Sequence, residues 1–172
     1  MEGNRISLSY KDDKSFIIEV SIAGTRELID LRRGPGGALA INEKNLQKEC
    51  AEQPGLFAWY SAILADQESR LAAVEIELER CEADVALKLR RGDIKVQSAD
   101  GKSDVKLTEG AIKEYILQDK KHMTLSDDVQ YYENICRRFR SLITASVQRK
   151  DMLIQLAGLT RQEMRNFGGP MG

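Results

Sequence analysis

Residues 56–91 read LFAWYSAILADQESRLAAVEIELERCEADVALKLRR. Tyr60, Leu64, Gln67, Leu71, Val74, Leu78, Cys81, Val85 and Lys88 recur in steps of four and three. On a helix this spacing draws one narrow stripe, the seam along which helices wrap around each other. Acids dominate its middle, with Glu68, Glu75, Glu77, Glu79, Glu82 and Asp84, and the segment closes on Lys88, Arg90 and Arg91. A long helix with a packing seam and a cationic tip points to an assembly or loading element rather than to a catalytic pocket.

A second stretch matches it. Val129, Tyr132, Cys136, Phe139, Ile143, Ser146, Lys150, Leu153 and Ala157 follow the same three-four spacing. Ser126 is the expected N-cap of this helix, with Asp127 and Asp128 complementing its dipole, and Gly158 its expected stop. Gly92 is the expected stop of the first long helix. At about 1.5 Å per residue each long helix spans on the order of 50 Å, and the chain between them is long enough to set them antiparallel. Two helices cannot cover all of each other's apolar surface, so the seams predict self-association, with Leu64, Leu71, Val74, Leu78, Val85, Phe139, Ile143 and Leu153 as its contact residues.

Shorter elements surround the pair. Ile6, Leu8 and Tyr10, then Phe16, Ile18, Val20 and Ile22, alternate with polar neighbours as strands do. Glu27 to Leu31 and Ala38 to Ile41 are candidate further strands. Asn42 caps a short helix over about 43–52, which Gln53-Pro54-Gly55 is expected to end. Thr108 opens another helix with Ile112, Tyr115 and Ile116 on its apolar face. Residues 93–106 are too polar for a core of their own. The predicted architecture is α+β, mainly α. A small antiparallel β element occupies 1–41, a helical core 42–160, and a tail 161–172.

Composition narrows the function. The 172 residues are 42% hydrophobic and 31% charged, with 6% aromatics, which suits long solvated helices. The net charge of -1 makes any anion-binding surface a local patch. No apolar run is long enough to span a membrane, and MEGNRISLSY lacks the apolar core of a signal peptide. Cys50, Cys81 and Cys136 are too scattered for a disulfide framework, which points to a reducing cytoplasm. One histidine and three separate cysteines do not make a zinc site, and no cofactor is expected.

The candidate binding residues are cations. Lys88, Arg90 and Arg91, followed by Lys95, have an ordinary reading as dipole complements at a helix C-terminus and a functional one as phosphate contacts. From Arg137 to Lys150 there are five cations, Arg137, Arg138, Arg140, Arg149 and Lys150, and no acid, whereas a solvated helix face usually mixes signs. Arg32 and Arg33 sit in a Gly-Pro-Gly-Gly loop that lacks the Gly-Lys-Ser/Thr ending of a P-loop. Repeated around an oligomer, modest patches add up to a salt-sensitive polyanion surface. His122 reads as a solvated surface histidine in a Lys-Lys-His-Met helix end. Phe57, Trp59 and Tyr60 read as core packing, with base stacking as the alternative. No acid–base constellation is visible, so an enzyme is not expected.

The stretch from Ile41 to Arg91 resembles a known family. Its short capped helix, NEKNLQKECA over 42–51, its aromatic start, LFAWYSAIL over 56–64, and its acidic-then-basic helix are similar to those of the UvsY-like phage recombination mediators. Asp128 to Ala157 is similar in placement to that family's C-terminal helix, and about two-thirds of the chain is covered. The resemblance implies an oligomeric ring that binds single-stranded DNA and loads a RecA-type recombinase as a single-strand DNA-binding protein is displaced. It implies DNA contact at Lys88, Arg90 and Arg91, and host-cell cytoplasm if the chain is phage-encoded. Residues 1–40 depart from the compact family pattern. A coiled-coil structural or assembly-chaperone protein of a phage, without DNA binding, is the competing expectation.

Overall fold

A computed structural model describes residues 6–10, 16–22, 25–30, 37–94 and 108–167. The chain is mostly helical. Strands β1 (Ile6–Tyr10), β2 (Phe16–Ile22) and β3 (Thr25–Asp30) precede a 3-10 turn (Glu43–Asn45) and helices α1 (Leu46–Arg91), α2 (Glu109–Gln118) and α3 (Lys120–Phe167). Two compact units emerge, one from residues 1–59 and 142–172 and the other from 60–141.

In the first unit the strands form an antiparallel meander in the order β1-β2-β3, with Leu8 opposite Ile18 and Ile18 opposite Ile29. Ile29 is buried and its neighbour Leu28 exposed, as strand alternation requires. Ala38 to Ile41, expected as a strand, is a turn and coil instead. Ala38 N–H donates to Asp30 O at 2.6 Å and Ala40 N–H to Gly37 O at 2.9 Å, so this backbone folds back on the end of β3 rather than extending a ladder.

Asn42 caps as expected, its Oδ1 accepting from Lys44 N–H at 3.1 Å. The break at Pro54 does not occur, and α1 runs through it. Proline deletes one helical hydrogen bond, that to the Cys50 carbonyl, at a typical cost of about 3 kcal/mol. Cys50 and Pro54 are both exposed, so water can satisfy that carbonyl. The turn just before Pro54 is held from α3: Gln53 Nε2 donates to Ser146 O at 2.8 Å, and Arg149 donates to both Gln53 Oε1 and Glu49 Oε2. Tertiary contacts on the turn before the local breaker override it.

In the second unit α1 and α3 run antiparallel, with Glu68 meeting Arg140 and Glu82 meeting His122. Tyr60, Ile63, Ile135, Cys136 and Phe139 are buried. Further along, Cys81, Val85, Ala86, Leu89, Ile112 and Leu125 form a cluster that α2 helps to close. Val85, Phe139 and Leu153 were expected to contact other copies, but they are buried within the chain. The seams cover each other, so these three side chains have no surface to offer. Leu64, Leu71, Val74, Leu78 and Ile143 are half-buried.

Helix ends correct the reading further. Asp119, not Ser126, caps α3: its Oδ1 accepts from Lys121 N–H at 2.9 Å and His122 N–H at 3.0 Å. Starting there buries His122 and Leu125 in the first turns, and Ser126, Asp127 and Asp128 become interior helix residues. Gly92 does end α1, at φ 78°. Its N–H donates to Leu89 O and that of Asp93 to Lys88 O, the two bonds of a Schellman motif. Gly158 does not stop α3, which continues to Phe167.

The two glycines should respond oppositely to alanine. Gly92→Ala puts a Cβ on a left-handed residue and should destabilise the fold by about 1 kcal/mol. Gly158 is helical with open space around it, so Gly158→Ala should stabilise by about 0.5–1 kcal/mol. Chemical denaturation of the two variants checks the pair.

Candidate nucleic-acid interface

The cations proposed for DNA fall into three situations. At the C-terminal turn of α1, Lys88, Arg90 and Arg91 are exposed. Lys88 Nζ lies 2.7 Å from Asp84 Oδ2, one helical turn back, and that hydrogen bond raises its pKa. Arg90 donates to both oxygens of Glu109 at 3.1 and 2.9 Å, tying the end of α1 to the start of α2. Arg91 has no ion pair among the described residues.

On α3, Arg137 is exposed and has no ion pair among the described residues, and Arg138 is half-buried. Arg140 reaches Glu68 Oε1 through Nε at 3.1 Å and Nη2 at 2.6 Å, and the carboxylate raises the guanidinium pKa. Given the antiparallel pairing, Arg137 lies opposite α1 some 17 residues before Lys88, about 25 Å along the axis. Glu75, Glu77, Glu79, Glu82 and Asp84 occupy the exposed surface of α1 in between. The two basic groups of this unit are therefore separate patches divided by acids.

Arg149 leaves the candidate set. It is 5% exposed. Beyond Glu49 and Gln53, its Nη2 donates to Ala40 O at 3.3 Å, so one guanidinium joins α3, the start of α1 and the segment before it. Its neighbour Lys150 is exposed and sits 3.3 Å from Asp151. The stripe of α3 passes through Leu142, Ser146, Arg149 and Leu153. That spacing is as regular as the expected one through Ile143, Ser146, Lys150 and Leu153, but it buries the arginine and exposes the lysine. Arg32, Arg33 and Lys95 lie outside the described residues.

His122 is not a surface histidine. It is buried, and its Nε2 lies 3.1 Å from Glu82 Oε1. Trp59 is half-buried, Tyr60 buried and Phe57 partly exposed. Burial pushes the thiols of Cys81 and Cys136 above their usual 9.0, with Asp119 adding to the first and Glu68 to the second. Among the described residues no three His, Cys, Asp or Glu side chains are placed to share a metal ion, and no helix is long and apolar enough to cross a membrane.

A pocket of about 320 Å³ opens beside the tip of α1. Arg80 and Lys121, neither of which stood out in the sequence, line it together with Lys88. The only signal for Arg80 was its place two turns before Lys88 on one helix face. Lys121 gave none, because it meets α1 only through the fold. The chain matches no family model, no curated protein and no solved structure.

Two outcomes follow from the buried groups. Arg149→Met should cost about 3 kcal/mol or more, because it leaves Glu49 without its buried partner. Adding Glu49→Gln should restore part of the loss in urea titrations. A thiol whose pKa rises on folding stays protonated where the unfolded chain's has ionised. The stability it contributes is complete below 9.0 and is lost as pH rises through the folded value. Melting temperature should therefore fall as pH rises above 9.0, and fall less steeply in Cys81→Ala/Cys136→Ala.

Proposed function

We propose that the chain is a non-enzymatic recombination mediator. In this reading it binds single-stranded DNA as a homo-oligomer and promotes loading of a RecA-type recombinase onto DNA coated with single-strand DNA-binding protein. The supporting observation is the exposure of Lys88, Arg90, Arg91, Arg137, Arg140 and Lys150 on helices whose seams are already covered. Where these cations are paired, the partner is a carboxylate at the surface. Exposed ion pairs contribute only about 0–1 kcal/mol, so a phosphate can take the place of the carboxylate at little cost. Self-association draws on apolar side chains that the chain leaves exposed late in α3, Met152, Ile154, Leu159 and Met164. Repetition of the patches around the assembly supplies the affinity.

The second reading is a helical structural or assembly-chaperone protein of a phage. It is favoured by the acids that separate the cationic patches and by the carboxylates already held by Lys88, Arg90 and Arg140. Fluorescence anisotropy of a labelled single-stranded oligonucleotide, at low and moderate salt, distinguishes the two. The mediator reading expects binding that weakens steeply with salt and is reduced at least about tenfold by Arg90→Glu/Arg91→Glu. Unchanged binding by that variant would remove the α1 tip from the DNA surface. No binding by the wild-type chain at micromolar concentration would favour the structural protein.

A further inference from the structure

We infer that the pocket beside the α1 tip is a phosphate site, in which Arg80 and Lys121 act together with Lys88. This inference rests on the mediator reading for the source of the phosphate, a single-stranded DNA backbone. Arg80, Asp84 and Lys88 follow each other at single-turn spacing along α1, so all three face the same opening. Lys121 comes from the first turn of α3, across the pocket lining. Cys81 and Val85, both buried, form the apolar part of the wall.

The two carboxylates in the lining are already engaged. Asp84 holds Lys88 at 2.7 Å. Asp119 accepts from the backbone N–H groups of Lys121 and His122, and lies 4.0 Å from Cys81 Sγ. Arg80 and Lys121 have no ion pair among the described residues. Counting all five charged groups, the lining carries one net positive charge, and its uncompensated part sits on Arg80 and Lys121. The volume, about 320 Å³, is at the lower end of the range for small-ligand sites and exceeds what a phosphate alone requires. An oxyanion entering here meets a guanidinium and two ammonium groups converging from two helices. Arg91 lies three residues beyond Lys88 on the same side of α1, so a strand passing the tip can place one phosphate in the pocket and the next on Arg91.

The test compares the 172-residue chain with Arg80→Ala/Lys121→Ala and with Lys44→Ala, an exposed cation remote in sequence from the site. Oligonucleotide affinity is measured across a salt series. The double variant should lose about 0.7 from the slope of log affinity against log salt, the amount for one single-strand phosphate contact. At about 0.1 M salt its affinity should fall roughly tenfold or more, with melting temperature and helicity retained. Lys44→Ala should match wild type. If the wild type binds DNA and the double variant matches it in affinity and slope, the pocket is not a phosphate site, and the mediator reading stands on the other cations. A second arm titrates pyrophosphate against the amide resonances of Val85 and Lys121. Shifts in wild type that disappear in the double variant, without DNA binding, would keep the anion site and assign it to a free phosphorylated ligand. No shifts and no DNA binding would overturn the site together with the mediator reading.

Discussion

The apolar stripe of α1 has to be covered, and the same chain covers it with α3. The rest of the structure follows from that constraint. Once Tyr60, Ile63, Cys81, Val85 and Leu89 turn inward with Leu125, Ile135, Cys136 and Phe139, the charged residues of both helices, Arg149 excepted, are left to the outer faces. The acids of α1 and the cations of both helices are thereby displayed to solvent and to any partner. Antiparallel packing also decides which charges meet, Glu68 with Arg140 and Glu82 with His122. It leaves the tip of α1 against the beginning of α3, where Lys88 and Lys121 line one pocket.

Polar groups inside the packing serve position more than stability. Arg149 is buried among Glu49, Gln53 and the Ala40 carbonyl. A buried ion pair regains little net free energy over an apolar isostere, but removing one partner is costly. Such a group tolerates a single arrangement of its neighbours. Here it fixes the start of α1 relative to α3 and carries the helix through Pro54. Gln67, almost fully buried, and His122 are further polar groups held in the packing of the other unit.

The charged surface has a corresponding logic. Exposed pairs such as Lys88–Asp84 and Arg90–Glu109 keep cations in place without holding them tightly. A polyanion can compete for them, and salt can screen them. A buried arginine such as Arg149 can do neither. Burial therefore sorts the five cations from Arg137 to Lys150 into structural and surface roles that composition cannot separate.

Much of this was legible in the residues. The strands of the N-terminal meander, the cap at Asn42, the cap at Thr108 and the stop at Gly92 follow from local chemistry, because each depends on a few neighbouring backbone groups. So does the existence of two long helices with seams. The expected breaks at Pro54 and Gly158 and the cap at Ser126 were local arguments of the same kind; those at Pro54 and Ser126 failed where packing across the chain was worth more than a local preference, whereas Gly158 continues the helix with open space around it. The seam of α3 could be drawn through Lys150 or through Arg149 with equal regularity, and only the position of Glu49 and Gln53 chose between them. Sequence alone determined the periodicity, the strand pattern and the supply of cations. Tertiary structure decided which cations are buried, which face water and which two helices bring Arg80 and Lys121 together, because those outcomes depend on contacts between residues far apart in the chain.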